Sequence, residues 1–178
     1  MKRYGFYESP YGQMLLVASD AGLCGVYFDG QKYYPAIDAE WCRDEQHTAI
    51  AQARRELAGY FARKRQRFEI VLAPEGTPFQ RKIWQAIARV SFGETISYAE
   101  LAESAGYPGH ARAAGAATGR NPLTIIVPCH RIVASTGALT GYAGGLERKR
   151  ALLALESRVG DLLAAARAQS GTERVFLQ

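Results

Sequence analysis

The sequence has little cysteine and no long apolar run, and these shortages exclude several classes of protein. Only three of its 178 residues are cysteine, at positions 24, 42 and 129. So odd and sparse a set argues against a disulfide framework and predicts a reducing, cytoplasmic location. No apolar stretch approaches the roughly 18 residues of a membrane span, and residues 1–6 lack the start of a secretory signal. We therefore expect a cytoplasmic globular protein with no membrane partner.

The net positive charge is concentrated in one part of the chain. Residues 1–75 carry ten Lys/Arg and ten Asp/Glu, residues 76–160 carry ten and five, and residues 161–178 carry two and two. A basic segment suits a polyanion such as nucleic acid, although a well-hydrated surface would show the same modest excess. Pro74-Glu75-Gly76 resembles a linker, so we predict domains over 1–75 and 76–160, followed by a tail over 161–178.

The first 75 residues have the pattern of a mixed α and β domain. Apolar runs at 12–18 and 23–28, separated by turn-forming residues at 19–22, predict a hairpin. Helical spacing of apolar residues predicts a helix over 47–63. Alternation at Phe68, Ile70 and Leu72 then predicts a strand with one buried face.

Helix-start signals mark the second part of the chain. Capping boxes at Thr77 and Ser97 predict two helices, the second ending near Gly106. A further helix over 110–119 would complete a helix-turn-helix, and a last clear helix is predicted over 146–157.

The helix predicted at 110–119 has almost no side-chain bulk. Ala113, Ala114 and Gly115 form its centre, and Arg112 is the only long side chain in its interior. Such a helix could pack tightly against another helix, or it could enter the DNA minor groove, which is only about 6 Å wide. In the groove, Arg112 could bond a phosphate or wedge into the base stack. From this helix alone, tight packing is the favoured interpretation.

A cysteine and a histidine lie together in the apolar stretch 126–133. A cysteine reacts as its thiolate, so Cys129 needs a lowered pKa or a base such as His130. A histidine base usually needs a third group to orient it, and Glu156 is our candidate. The alternatives are a small buried cysteine with chance neighbours and a glutamate on the surface.

Several short motifs agree in order and spacing with one known family. They are Ile96-Ser97-Tyr98, Ala111-Arg112-Ala113, Asn121-Pro122, Pro128-Cys129-His130-Arg131, the run 141–145 and the run 152–156. Together they resemble the O-6-alkylguanine-DNA alkyltransferases, with close similarity over about residues 77–157. The resemblance implies an α/β (α+β) protein, with an N-terminal ribonuclease-H-like sheet domain and a C-terminal helical domain that contains a winged helix-turn-helix.

The resemblance also implies an activity. The thin helix would enter the minor groove of double-stranded DNA that carries O-6-alkylguanine, and Arg112 would replace the guanine that flips out. Cys129 would then accept the alkyl group in a single-use reaction that needs no cofactor, while His130, through a water, would take the thiol proton and pass charge to Glu156. Alkylated thymine is a second candidate substrate. We expect a monomer, and leave cooperative binding on DNA open.

Further site residues follow from the same resemblance. Asn121 would brace the turn that carries the cysteine, and Tyr98 would sit at the pocket mouth and bond guanine N3. Tyr142 would form a wall of the pocket, and backbone groups near Val127, Cys129 and Ala143 would bind the guanine edge. The small residues Ala113, Ala114 and Gly115 would face the DNA.

The sequence departs from the family pattern at two positions. Ala143 replaces a serine of some relatives, which leaves a backbone amide as the donor there, and Thr124 replaces a proline, which puts tolerance for bulky alkyl groups in doubt. Some relatives bind zinc in the N-terminal domain. We predict no metal here, because the spacing of Cys24, Cys42 and His47 matches no strong zinc pattern.

Three rival functions are compatible with parts of the sequence. They are a non-catalytic binder of alkylated DNA, a winged-helix regulator and a cysteine hydrolase. Superfamily members that only bind carry tryptophan in place of the cysteine, so Cys129 argues against the first.

Overall fold

A computed structural model describes residues 1–157 of the chain. The predicted tail over 161–178 lies outside the described residues. The strands and helices are, in chain order, β1 (Arg3–Ser9), β2 (Gly12–Ser19), β3 (Gly22–Phe28), β4 (Cys42–Arg43), α1 (Thr48–Phe61), α2 (Pro78–Ala88), β5 (Ile96–Ser97), α3 (Tyr98–Ser104), α4 (Ala111–Gly119), β6 (Ile132–Val133) and α5 (Leu146–Glu156).

The N-terminal part is a four-stranded sheet with one helix packed on it. The strand order is β3-β2-β1-β4, in which β2 is antiparallel to both β1 and β3, and β4 is parallel to β1. The predicted hairpin and the helix α1 are confirmed, while β1 and β4 were not predicted. Alternation along β2 and the stripe of α1 bring Leu16, Ile50 and Leu57 into one fully buried core, as apolar burial requires.

The prediction of a strand over Phe68–Leu72 is wrong, because this segment forms no regular strand. The alternation of burial is as expected, since Ile70 is buried while Val71 is exposed. However, the segment makes only one bridge, between Leu23 and Leu72. The reason is that β3 has little free edge there. Further along the same edge, Val26 N donates to Pro122 O at 2.8 Å and Val26 O accepts from Thr124 N at 3.1 Å.

The C-terminal part is mainly helical, and its helix starts are those the sequence predicts. Thr77 Oγ1 accepts from Gln80 N at 3.1 Å and Gln80 Oε1 from Thr77 N at 3.0 Å. Ser97 and Glu100 form the same reciprocal pair at the start of α3. These bonds satisfy N–H groups that would otherwise lack partners.

A tight turn joins α3 to α4. The turn is possible because Gly106 and Gly109 adopt φ of +89° and +81°, conformations that favour glycine. The predicted helix-turn-helix and the mixed α/β class are therefore confirmed. Across residues 1–157, no helix is long and apolar enough to cross a membrane.

Candidate active site

Cys129 lies on a single 3-10 turn, Cys129–Arg131, at the inner end of the loop that pairs with β3. Pro128 precedes the turn with ψ of 65°, which bends the chain away from an extended strand. Cys129 N donates to Val127 O at 2.8 Å and Arg131 N donates to Pro128 O at 3.0 Å. The cysteine is only 5% exposed, so the sulfur lies in the interior, just below the surface.

Asn121 fixes the loop that leads to this turn. Its Nδ2 donates to Val127 O at 2.8 Å, and its Oδ1 accepts from Leu123 N at 2.9 Å. Within the loop, Ile125 has φ of 73° and is buried. A β-branched residue is strained in that region of φ, so surrounding contacts must hold the loop in place.

His130 and Glu156 form a buried pair behind the cysteine. The distance from His130 Nε2 to Glu156 Oε1 is 2.7 Å, and the two residues are 0% and 2% exposed. The alternative of a surface position for Glu156 is therefore wrong. Arg131 binds both oxygens of the same carboxylate, through Nε and Nη2 at 2.8 Å each. Its Nη1 donates to Val90 O at 2.6 Å.

The charge state of Glu156 follows from these donors. Burial by itself raises the pKa of the carboxyl group, but hydrogen bonds from His130 and Arg131, with their charges, bring that pKa well below its usual range. Glu156 therefore stays ionised at neutral pH, as expected of a carboxylate with several strong donors.

Only one of the two ring nitrogens of His130 contacts Glu156. We assign the proton to Nε2, because that nitrogen faces a carboxylate oxygen. Nδ1 is then a lone-pair acceptor, and it has no hydrogen-bond partner among the described residues. Burial lowers the pKa of His130, against the opposing effect of Glu156. The imidazole is therefore neutral at rest and can accept a proton.

The thiol of Cys129 is also neutral at rest. Burial raises its pKa, while Asn121 and the charge of Lys149 act in the opposite direction. A cysteine of this kind reacts only when a base removes its proton or a nearby charge stabilises the anion.

Lys149 is a site residue that sequence reasoning missed. It is 0% exposed, and its Nζ donates to the carbonyl oxygens of Ile132 at 2.7 Å, Thr140 at 3.0 Å and Gly141 at 3.4 Å. The signal in the sequence was weak. Leu152 and Glu156 lie three and seven positions after Lys149, on one helical face, and these are the buried residues of α5, but only one of the three is apolar.

Two tyrosines lie close enough to Cys129 to be affected by its charge. Burial raises the pKa of both Tyr98 and Tyr142, and the cysteine raises them further. Tyr98 OH donates to Thr140 O at 3.2 Å. The buried Tyr142 hydroxyl has no hydrogen-bond partner within residues 1–157.

Helix α4 has a buried face and an exposed face. Arg112 and Ala113 are exposed and Gly115 is partly exposed, so these three can meet DNA. Ala114 is 0% exposed, so of the three small residues expected to face the DNA, it alone does not reach the surface with its side chain. Its methyl group packs into the core instead, because Ala114 is on the inner face of the helix.

The same helix also packs tightly against its neighbours. Trp84 Nε1 of α2 donates to Ala117 O at 2.8 Å. A Cβ built on Gly115 would lie 3.5 Å from Tyr98 Cδ1, an ordinary van der Waals contact. Tight packing and an exposed thin face therefore coexist in α4.

Backbone and loop positions give a mixed outcome. Val127 O already accepts from both Asn121 Nδ2 and Cys129 N, so a backbone contact to guanine near Val127 would have to come from another group. The carbonyl of Ala143 is bound by Lys32 N at 2.9 Å. Thr124 is 2% exposed, and its hydroxyl bonds to Gln31 Oε1 at 3.3 Å.

The N-terminal residues considered as zinc ligands are dispersed. Cys24 is buried in β3, Cys42 is exposed on β4, and His47 precedes α1. No group of three or more His, Cys, Asp or Glu residues suited to a metal ion occurs in the part of the chain that the structure describes.

The fold and site together define a class of protein in which a buried cysteine, backed by a buried histidine–glutamate pair, lies beside a helix-turn-helix. Family models agree with this class. Residues 78–158 match the DNA-binding domain, and residues 2–74 the ribonuclease-like domain, of 6-O-methylguanine DNA methyltransferase. The chain therefore belongs to the 6-O-methylguanine DNA methyltransferase family.

Individual relatives are similar over most of the chain. A methylated-DNA–protein-cysteine methyltransferase of Methanosarcina acetivorans is 43% identical over 153 residues, which are 86% of this chain and 97% of the relative. One from Mycolicibacterium paratuberculosis is 44% identical over 158 residues, 89% and 94% of the two chains. The Mycobacterium tuberculosis OGT solved in complex with DNA has a TM-score of 0.79 and 41% identity, covering 86% of this chain and 92% of its own.

Proposed function

We propose that this protein repairs DNA by direct reversal, moving an alkyl group from O-6 of guanine to Sγ of Cys129. Family membership and the names of its relatives support the reaction class. The observation that carries the assignment to Cys129 is its position on one turn with His130, whose far nitrogen is 2.7 Å from Glu156.

The reaction has a simple balance of bonds. The thiol proton moves to Nδ1 of His130, through a bridging water, and the thiolate attacks the alkyl carbon. A C–S bond forms and the C–O bond to guanine breaks, leaving an electron pair on the base. A proton must then reach the guanine, so the net change is transfer of the thiol proton to guanine and of the alkyl group to sulfur.

Groups around the pocket assist the departure of guanine. Tyr98 is the candidate donor to N3, and the amide of Ala143 is a candidate donor at the guanine edge. Donors aimed at developing negative charge contribute strongly in a site that excludes water. Tyr142 forms the apolar wall against which the base rests. Because Glu156 remains ionised, it stabilises the imidazolium of His130 and does not itself take the proton.

The product explains why each molecule acts once. A thioether on Cys129 has no leaving group that water can displace at neutral pH, so the sulfur is not regenerated. The protein is then a stoichiometric reagent, and the reaction as written requires no cofactor.

Helix α4 would enter the minor groove of the DNA and so bring the damaged base to the site. The exposed face of α4, with Arg112 and Ala113, is narrow enough to enter, and Gly115 keeps the contact with Tyr98 close. Extruding a base costs a few kcal/mol, and Arg112 in the vacated stack would offset part of that cost. We propose that one molecule suffices for repair and that O-6-alkylguanine is the principal lesion, with O-4-alkylthymine as a second substrate.

A mass measurement tests the proposal. After incubation with duplex DNA that contains O-6-methylguanine, we expect one methyl group per chain, located on Cys129 by peptide mass. Cys129→Ala should take up none, while Cys42→Ala, which removes an exposed cysteine elsewhere, should react like the wild type. Repeated turnover with excess DNA would contradict the single-use reaction and favour a hydrolase. Sequence-specific binding with no methyl uptake would favour a regulator.

A further inference from the structure

The carboxylate oxygen that holds His130 also binds a residue from the N-terminal part of the chain. Oε1 of Glu156 lies 2.7 Å from His130 Nε2, 2.8 Å from Arg131 Nη2 and 2.7 Å from the hydroxyl of Tyr60. Tyr60 is fully buried near the end of α1 and 96 positions away from Glu156 in sequence. One oxygen therefore serves three donors from two parts of the molecule.

Arg131 would hold the carboxylate in place even without the tyrosine. Its Nε binds Oε2 and its Nη2 binds Oε1, and a bidentate pair of this kind fixes the plane of a carboxylate. The hydroxyl of Tyr60 is thus not needed to orient Glu156. Its effect is to share the negative charge of Oε1, and this weakens the hydrogen bond between Oε1 and His130.

We propose that Tyr60 is a positioning residue for alkyl transfer, whose hydroxyl limits how strongly Glu156 draws a proton onto His130. The inference rests on the proposed function, in which the thiol proton of Cys129 moves to His130. If Oε1 did not also bind Tyr60, it would favour the imidazolium form of His130, and Cys129 would then be a thiolate at rest. A shared Oε1 favours the neutral thiol, which is protected from stray electrophiles until an alkylated base occupies the pocket.

The groups that face this oxygen support the assignment. Burial raises the pKa of Tyr60 well above its ordinary value and the charge of Glu156 adds to the effect, so the hydroxyl remains a donor. Arg131 is a constant positive charge that opposes protonation of His130. Beyond this contact, Tyr142 raises the pKa of Tyr60, Glu156 raises the pKa of Tyr142, and Lys149 lowers the pKa of His130.

Tyr60→Phe tests the proposal, with Tyr7→Phe as the matched control. Tyr7 of β1 faces α1, and its ring stacks on Phe61 with the ring centroids 6.3 Å apart. The control therefore removes a hydroxyl from the interface between the sheet and α1 without changing the contact to Glu156. The readout is the rate at which iodoacetamide modifies Cys129, located by peptide mass, as a function of pH. Methyl transfer from duplex DNA is followed in parallel.

For Tyr60→Phe we expect the midpoint of the pH profile to fall by about half a unit to one unit, because the carboxylate then binds the imidazolium more strongly. At a pH below the midpoint, modification should be about three- to tenfold faster. Tyr7→Phe should leave the midpoint unchanged. A 3-fluorotyrosine at position 60 is a stronger donor of the same shape, and should move the midpoint the opposite way.

An unchanged midpoint, or one that rises in Tyr60→Phe, overturns the role of Tyr60. A purely structural effect would lower the rate at every pH without moving the midpoint. If Tyr60→Phe fails to fold, the fluorinated residue alone decides the sign. The proposed function is tested separately, by methyl uptake of the wild type on Cys129, so the inference can fail while that function stands.

Discussion

Helices α4 and α5 use opposite means to contribute to one site. Helix α4 has small residues, no side-chain cap at its start and a single long side chain presented to solvent, Arg112. Helix α5 buries a lysine and a glutamate on its inner face, Lys149 and Glu156. The comparison teaches that neither helix has the usual apolar stripe, because α4 presents small residues on its outer face and α5 buries charged side chains near the cysteine.

The largest effect is expected where the buried charges of α5 are disturbed. Glu156→Gln would leave the guanidinium of Arg131 without its carboxylate, and breaking such a buried pair costs about 3–5 kcal/mol. We expect that loss in urea unfolding, together with loss of methyl transfer. Glu147→Gln, an exposed glutamate on the same helix, is the control and should change stability by less than about 0.5 kcal/mol. Equal, small losses in both variants would end the contrast between the helices.

An intermediate effect is expected at the exposed face of α4. Arg112→Ala should slow repair of duplex DNA by roughly ten- to a hundredfold, because nothing then fills the base stack whose opening costs a few kcal/mol. Transfer from free O-6-methylguanine and the unfolding free energy should stay near the wild-type values. Lys82→Ala removes an exposed charge from α2 and should affect repair much less. Equal losses on duplex and free base would refute the role of Arg112 in the stack.

The smallest effect should come from the centre of α4. Gly115→Ala improves helix propensity by about 1 kcal/mol, and the added methyl would only touch the Tyr98 ring at 3.5 Å. We expect unfolding to become harder by up to about 1 kcal/mol, while repair of duplex DNA falls slightly because the face toward the DNA thickens. Gly119→Ala, where an added Cβ meets nothing within 4 Å, is the comparison. A loss of stability at Gly115 would show that the helix needs the glycine for packing.

The sequence predicts local features of this molecule better than contacts between distant segments. The capping boxes at Thr77 and Ser97 were correct because every atom involved lies within four residues. The strand expected at Phe68–Leu72 was not formed as such, because its pairing depends on an edge of β3 that residues 122–124 also use. No local sequence pattern indicates that two distant segments share the edge of β3.

The site residues divide in the same way. The pairing of His130 with Glu156 was proposed because a histidine base needs a group to orient it and because the family motif implied it, while the sequence itself left a surface position open for Glu156. The contact of the Tyr60 hydroxyl with a residue 96 positions away could not be predicted, because helical periodicity marks only which face of α1 is buried. Lys149 was missed because lysine is almost never fully buried, a tendency that its three carbonyl partners override here. The buried position of Ala114 could not be predicted from the sequence, because its neighbours are equally small and do not mark the inner face of the helix.

The outer border of β3 has one more implication. It is closed by residues 71–73 at one end and by residues 122–124, just ahead of the reactive turn, at the other. A strand edge that lacks such partners can pair with strands of other chains. Separated from the helical part, the first part of the chain would therefore expose unpaired backbone groups on β3. Residues 122–124, which lead to Cys129, thus also protect this sheet edge from pairing with other chains.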